Sequence, residues 1–388
     1  MEISIIGGGI AGCTAALELS KNKNNKIILY EKKDAILGNA PYCRLHCGLM
    51  YPMLSFKESE LLLIYSIHFA KEFRSAILKR PCVIMYNKKS NYTTRELIDK
   101  CEFIQRKYKK FNDFTMGHPD TYFAVYTRND MISFKHFGKF LHSTSEARKF
   151  HDPFVKTVCR MIKDIDSIKY PFVSVNEFGI EQTIVERLIK RRIQSERNIK
   201  LNLNTIYVSN ESDIIINAKG SFTTNAGFLE LKSSWLVKLR NKIESLPEIA
   251  IIGERETDHS MIQISPRKYN GVQLHYMSYN STLFERVQAF SEFSLENQEI
   301  IKNNYVPNDI TNTRTKNAIN QIKKFLDIQF QSYNSKALWG CQFIPCNKNK
   351  LDSSIRTCTF NITNSEINIE IVKAISSVYT AKQISKLF

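Results

Sequence analysis

The segment Ile3-Ser4-Ile5-Ile6-Gly7-Gly8-Gly9-Ile10-Ala11-Gly12-Cys13-Thr14-Ala15-Ala16-Leu17-Glu18-Leu19 decides the fold. Its apolar start reads as a short buried strand, and its small and apolar end reads as a helix. Between them lies a G-x-G-x-x-G spacing, Gly7, Gly9 and Gly12. Gly7 permits the tight turn out of the strand, Gly9 lets the backbone approach a pyrophosphate, and Gly12 lets the helix pack closely on the sheet. The helix N-terminus then offers unpaired N–H groups and the positive end of its dipole to phosphates. Lys21 to Asn25 is a polar turn, and Lys26-Ile27-Ile28-Leu29-Tyr30 is a second strand with Glu31 at its end. A carboxylate at that place can accept both ribose hydroxyls. It also repels a 2′-phosphate, which disfavours NADP and leaves NAD and FAD open.

Outward from this unit, Lys33 to Pro52 is punctuated by Gly, Cys and Pro and reads as loop. Ser55–Leu78 and Thr94–Tyr108 read as helices, with Pro81–Tyr86 as a strand between them. Aromatic and β-branched residues from Phe114 to Phe140 predict strands. Ala147–Ile168 is helical in part. Glu181–Arg197 is an amphipathic helix with Ile184, Val185, Leu188 and Ile189 on its apolar side. Ile199–Val208 and Asp213–Gly220 follow as strands. Further strands are expected at Ile249–Ile252, Met261–Ile264, Val272–Met277 and Thr357–Ile362, and helices at Thr315–Phe330 and Ser376–Leu387. No repeat and no low-complexity tract interrupts this order.

The 388 residues are 43% hydrophobic and 24% charged, a globular composition that excludes a disordered or collagenous chain. The length suits two cores. No apolar run reaches the roughly 18 residues of a membrane helix, and the first residues lack a basic leader region. Nine cysteines are an odd number without a pairing framework, which points to a reducing cytoplasm. Cys43, His46 and Cys47 lack a fourth ligand at metal spacing, so no metal is expected. The net charge of +17 favours acidic partners in principle, but the lysines are spread along the chain. The basic run Arg187, Lys190, Arg191, Arg192 and Arg197 reads as a solvated helix face.

The Gly-Gly-Gly-Ile-Ala-Gly run and its small-residue helix resemble the FAD-dependent oxidoreductases of the D-amino-acid oxidase and glycine oxidase superfamily. The likeness returns in Asn198–Val208 followed by Ile214–Gly220, and in the last helix from Ser376. It implies an α/β fold with a discontinuous Rossmann-like FAD-binding domain, residues 1–52, 172–228 and 351–388, and a mixed-sheet substrate domain, residues 53–171 and 229–350. It implies FAD contacts from Gly7, Gly9, Ile10, Ala11, Gly12, Glu31, Lys32, Arg44, Val208, Ala218, Gly220, Ser376 and Ser377. Arg44 would neutralise pyrophosphate, and His46 would approach the flavin ring, either as a polar neighbour or as a covalent tether. The helix starting at Ser376 would stabilise negative charge at flavin N1 and O2. Arg356 would clamp a substrate carboxylate, with Arg267 and His275 as second choices and hydroxyls from Tyr276 and Tyr279. Two departures stand out: Lys219 replaces a small residue, and Glu370-Ile371-Val372-Lys373-Ala374-Ile375 replaces a glycine-rich loop.

The expected activity is oxidation of a C–N or C–O bond in a small amine, amino acid or hydroxy acid, by hydride transfer to flavin N5. Rival readings are a flavoprotein acting on tRNA or another polyanion, a non-catalytic or partner-dependent flavoprotein, and an NAD-dependent enzyme. No second nucleotide fingerprint supports the last. Nucleic acid is the weaker choice of partner, because no RNA-binding signature with interleaved aromatics is present.

Overall fold

The computed structural model describes residues 1–38, 42–140, 145–208, 212–220, 228–254, 261–267, 271–277, 283–303, 305–331, 336–344, 359–363, 366–370 and 373–388. Strand β1 (Glu2–Ile6) is buried from Ile3 onward, because it has a partner on each edge and cover on both faces. It leads into α1 (Ile10–Leu19) and β2 (Lys26–Tyr30). There follow α2 (Phe56–Glu72), β3 (Ile77–Leu78), β4 (Cys82–Tyr86), α3 (Thr94–Lys110), β5 (Phe123–Tyr126), α4 (Arg128–Phe137) and α5 (Glu146–Met161). The middle of the chain runs β6 (Phe172–Val175), β7 (Gly179–Ile180), α6 (Gln182–Ser195), β8 (Ile199–Asn202) and β9 (Ile214–Asn217). Then come β10 (Phe228–Lys238), β11 (Glu248–Ile252), β12 (Met261–Pro266), β13 (Gly271–Met277), β14 (Leu283–Val287), α7 (Leu295–Asn303) and α8 (Asn308–Phe325). The last elements are β15 (Lys336–Ile344), β16 (Thr359–Thr363), β17 (Glu366–Glu370) and α9 (Ser377–Ile384).

One sheet has the order β16-β17-β9-β1-β2-β8, parallel except at its β16 edge. A mixed sheet has the order β14-β10-β13-β12-β11-β4-β6-β5, with β15 also on β10. The fold is therefore α/β, a Rossmann-like sheet joined to a mixed sheet. One core fills the space around β1, α1, α2, α3 and α9 and reaches one face of β4 and β6. A second core, with Trp235, Ile249, Ile264 and Leu274, covers the other face of the mixed sheet. Strand β6 runs in the mixed sheet, so the crossing between the sheets falls downstream of the expected boundary at 172.

Several elements differ from expectation for local reasons. Phe123–Tyr126 is a strand, but Arg128–Phe137 is a helix. A Thr127–Asp130 capping box starts it and left-handed Gly138 stops it, and these signals outrank the strand preference of its aromatics. Helix α2 starts on a Ser55–Glu58 capping box but ends at Glu72, and Ile77–Leu78 pairs with β7. Helix α8 begins at Asn308, behind Pro307, and ends at Phe325. Strand β8 ends at Asn202. Asn204 then turns at positive φ, and the amides of Asn204 and Thr205 bond back to the carbonyls of Lys33 and Glu31.

A Cβ on Gly12 would stand 1.9 Å from the Gly7 carbonyl oxygen, whereas one on Gly9 would meet nothing within 4 Å. Gly12→Ala is expected to lose about 3 kcal/mol of unfolding free energy in chemical denaturation, and Gly9→Ala less than about 1 kcal/mol.

Candidate active site

Strand β1 ends in Gly7, whose φ of +109° is open to glycine and strained for other residues. A Cβ there would also lie 2.5 Å from the Ala218 carbonyl oxygen at the end of β9. Ala218 and Gly12 thus set how closely α1 sits against the sheet. Gly9 caps α1 in extended conformation, with no side-chain cap and no acidic residue in the first turn. The N–H groups of that turn carry a partial positive charge, and a Cβ on Gly9 beside them would meet nothing within 4 Å. Glu31 is anchored beside them. Its Oε2 accepts from the Gly8 N–H at 2.7 Å, and its Oε1 accepts from the Lys33 N–H at 2.9 Å. The uncapped turn, the empty space over Gly9 and this fixed carboxylate fit the pyrophosphate and ribose of a dinucleotide.

The other expected contacts are scattered. Ile10 and Ala11 are half-buried in the first turn of α1, and Lys32 is exposed after β2. Gly220 turns at φ +72°, and Val208 is 77% exposed. Ser376 and Ser377 are buried at the start of α9. Ser376 Oγ donates to the Lys373 carbonyl oxygen, and Ser377 Oγ has no hydrogen-bond partner among the described residues. Arg356 and Tyr279 lie outside the described residues.

Arg44 departs from expectation. It is buried, and its guanidinium pairs with Glu177 at 2.9 Å and donates to Cys82 Sγ at 3.0 Å. It is therefore committed inside the protein rather than to pyrophosphate. Glu177, fully buried, also accepts from the N–H groups of Cys47, at 2.7 Å, and Leu49, at 3.3 Å. The same segment pairs with the backbone after β6 through Leu45 N–H to Phe178 O and Ile180 N–H to Cys43 O. These bonds set the shape of residues 43–49. Within them, His46 Nδ1 accepts from the Gly48 N–H at 2.8 Å, and the imidazole stacks on Tyr51 at 4.8 Å. Lys373 Nζ reaches Tyr51 OH at 3.1 Å and lies over its ring. The loop is thus tied to the start of α9. Lys373 is a residue that sequence reasoning passed over, although a lysine directly before the terminal helix is the signal for it.

The mixed sheet turns a polar face toward this loop. Glu248 on β11, Gln263 and Ser265 on β12, Gln273 on β13 and Ser234 on β10 are all buried, with half-buried His275 among them. Ser265 Oγ donates to Glu248 Oε2 at 2.8 Å, and Cys43 Sγ lies 3.7 Å from His275 Nε2. Burial raises the Glu248 carboxyl to about 7, with the Cys43 thiol adding to the rise. Burial lowers the His275 imidazole to about 3. Arg267, a second choice for a carboxylate clamp, is engaged by the carbonyl oxygens of Ile180 and Tyr42 and by the Gln273 amide. It staples the sheet to the loop.

Residues 5–57 match the family described as NAD(P)-binding Rossmann-like domain. No curated protein sequence matches the chain. Its structure is similar to glycine oxidase from Geobacillus kaustophilus, at 11% identity and a TM-score of 0.55, covering 99% of this chain and 93% of that one. It is similar to L-proline dehydrogenase from P.horikoshii, at 12% identity and a TM-score of 0.58, covering 100% and 92%. It is also similar to NikD, an unusual amino acid oxidase essential for nikkomycin biosynthesis, at 9% identity and a TM-score of 0.62, covering 99% and 92%. The fold is shared with these proteins along nearly the whole chain.

Arg44→Met leaves Glu177 as a buried, unpaired charge and is expected to destabilise by about 3–5 kcal/mol in denaturant titration. Arg44→Met/Glu177→Leu recovers only part, because the Cys47 and Leu49 amides lose their acceptor. The folded value of Glu248 stands above the ordinary 4.5, so folding takes up a proton between the two. Its contribution is whole at about pH 4 and is lost as pH rises through about 7, on the order of 2–3 kcal/mol. His275 and His151, lowered to about 3 and about 4, tilt the other way. The check is therefore the difference between wild type and Glu248→Gln across that window, which is expected to follow the Glu248 sign.

Proposed function

We propose that the chain is an FAD-dependent oxidoreductase acting on a C–N or C–O bond of a small amine, amino acid or hydroxy acid. The observation that carries this is the open Gly9 at the uncapped start of α1, with Glu31 fixed beside it. The fold shared with glycine oxidase and an amino acid oxidase supports flavin over a nicotinamide, because flavins and not nicotinamides pass electrons to oxygen. Gly7, Gly9 and Gly12 would admit the pyrophosphate, and Glu31 would take the ribose. Residues 44–49, Lys373 and the start of α9 would bound the ring system, with the Lys373 ammonium and the helix N-terminus supplying positive charge. Bound FAD would supply a two-electron acceptor. The chain's own part is to hold the substrate over it and keep water out.

In this reading the Rossmann-like sheet with α1, α6 and α9 is the cofactor domain, and the mixed sheet is the substrate domain whose polar face lines the site. The six described cysteines are buried free thiols, which supports a reducing, cytoplasmic setting. Among the described residues no helix is long and apolar enough to cross a membrane.

The test pairs a variant with a substrate screen. Gly9→Ala keeps the fold but places a methyl where phosphate would approach, so FAD affinity is expected to fall at least about tenfold without a matching loss of stability. Anaerobic addition of amines, amino acids and hydroxy acids to the flavin-loaded protein is expected to bleach the flavin with at least one of them. Undiminished affinity in Gly9→Ala speaks against the cofactor placement. Flavin that no substrate reduces speaks for a non-catalytic flavoprotein.

A further inference from the structure

We infer that Gln273, clamped by Arg267, fixes His275 as a neutral imidazole protonated on Nδ1, and that this N–H is a hydrogen-bond donor on the wall of the substrate site. The donor role rests on the oxidoreductase reading, whereas the protonation state does not.

Strands β12 and β13 pair Gln263 with His275 and Ser265 with Gln273, so these side chains share the polar face. Gln273 is completely buried. Arg267 approaches its Oε1 from two nitrogens, Nε at 3.1 Å and Nη2. A guanidinium has only donors, so the amide oxygen must be the atom turned toward it. The amide NH2 is thereby turned the other way, to Ser234 Oγ at 2.8 Å and His275 Nε2 at 3.0 Å. That group only donates, so His275 Nε2 must accept. An imidazolium has no acceptor nitrogen, and the neutral ring that accepts on Nε2 carries its proton on Nδ1. Cys43 Sγ also lies on the Nε2 side, at 3.7 Å. Nδ1 meets no hydrogen-bond partner among the described residues, and the side chain is half-buried.

The surrounding charges agree. Glu248 on β11 favours the charged ring, while burial, Arg267, Arg44 and Lys373 oppose it. The chemistry follows from the tautomer. A ring locked in this form is a poor general base, because its acceptor nitrogen is already occupied. It offers a fixed N–H to a substrate acceptor, such as a carboxylate or carbonyl oxygen, and Gln273 and Arg267 are its positioning residues.

The test is long-range 1H–15N correlation on the purified full chain labelled with 15N-histidine, with the signal assigned through His275→Asn. Wild type is expected to show the Nδ1-protonated pattern without titration between about pH 5 and 9. In Gln273→Glu a carboxylate replaces the amide donor, so the proton moves to Nε2 and the ring titrates nearer the ordinary range. A wild-type ring protonated on Nε2, or one that titrates normally, overturns the inference. So does an unchanged tautomer in Gln273→Glu. Should that variant not fold, the wild-type spectrum alone decides. The readout needs neither flavin nor turnover, so it can succeed while the oxidoreductase reading fails. For the donor role, His275→Leu is expected to raise KM about tenfold, and His275→Asn, which keeps an N–H near Nδ1, restores most of it. Equal losses in both variants, or none in either, overturn that role.

Discussion

The architecture depends on the near-contact of α1 with the strand ends behind it. Gly12 lies so close to the Gly7 carbonyl, and Gly7 to Ala218, that a methyl on either glycine would collide with backbone. This closeness accompanies a β1 that runs between β2 and β9, whereas a Cβ on Gly9 would meet nothing within 4 Å. The first turn of α1 carries no capping side chain, so its N–H groups are not taken up by a side-chain cap. Close packing at Gly7 and Gly12 and open space at Gly9 are therefore separate features of one motif.

A second constraint joins the two sheets. The Arg44–Glu177 pair, with two backbone amides on the same carboxylate, shapes the loop that runs between the Rossmann-like and mixed sheets. Burying two charges is costly unless their remaining bonding capacity is met. Here Cys82 Sγ and the Cys47 and Leu49 amides meet part of it. The result is a rigid seat for His46 and Tyr51, tied to the last helix through Lys373. The polar face of the mixed sheet closes over the same loop through Arg267.

The glycine motif, Glu31 and the strand–helix–strand order were legible because backbone geometry restricts which residues can stand there. The strands at 249–252, 261–264 and 272–277 were legible from alternation and apolar content. The burial of their polar side chains was not legible, because Gln263, Ser265 and Gln273 alternate with apolar residues as a solvent-facing strand would. Only the fold shows them buried. The burial of Arg44 is not legible in the sequence, because its partner, Glu177, is distant along the chain and carries no local signal. The α4 helix is obscured in the sequence, because its aromatics favour a strand while the Thr127–Asp130 cap decides the local structure. Val208 took its expected role from a longer strand than the one that forms.

The central claim is that this chain holds a flavin dinucleotide at the start of α1. The most direct measurement is the near-ultraviolet and visible absorbance of the purified protein, as isolated and after addition of FAD and removal of excess. Flavin bands that remain with the protein are the predicted result. A spectrum without them, even after FAD is supplied, would contradict the claim.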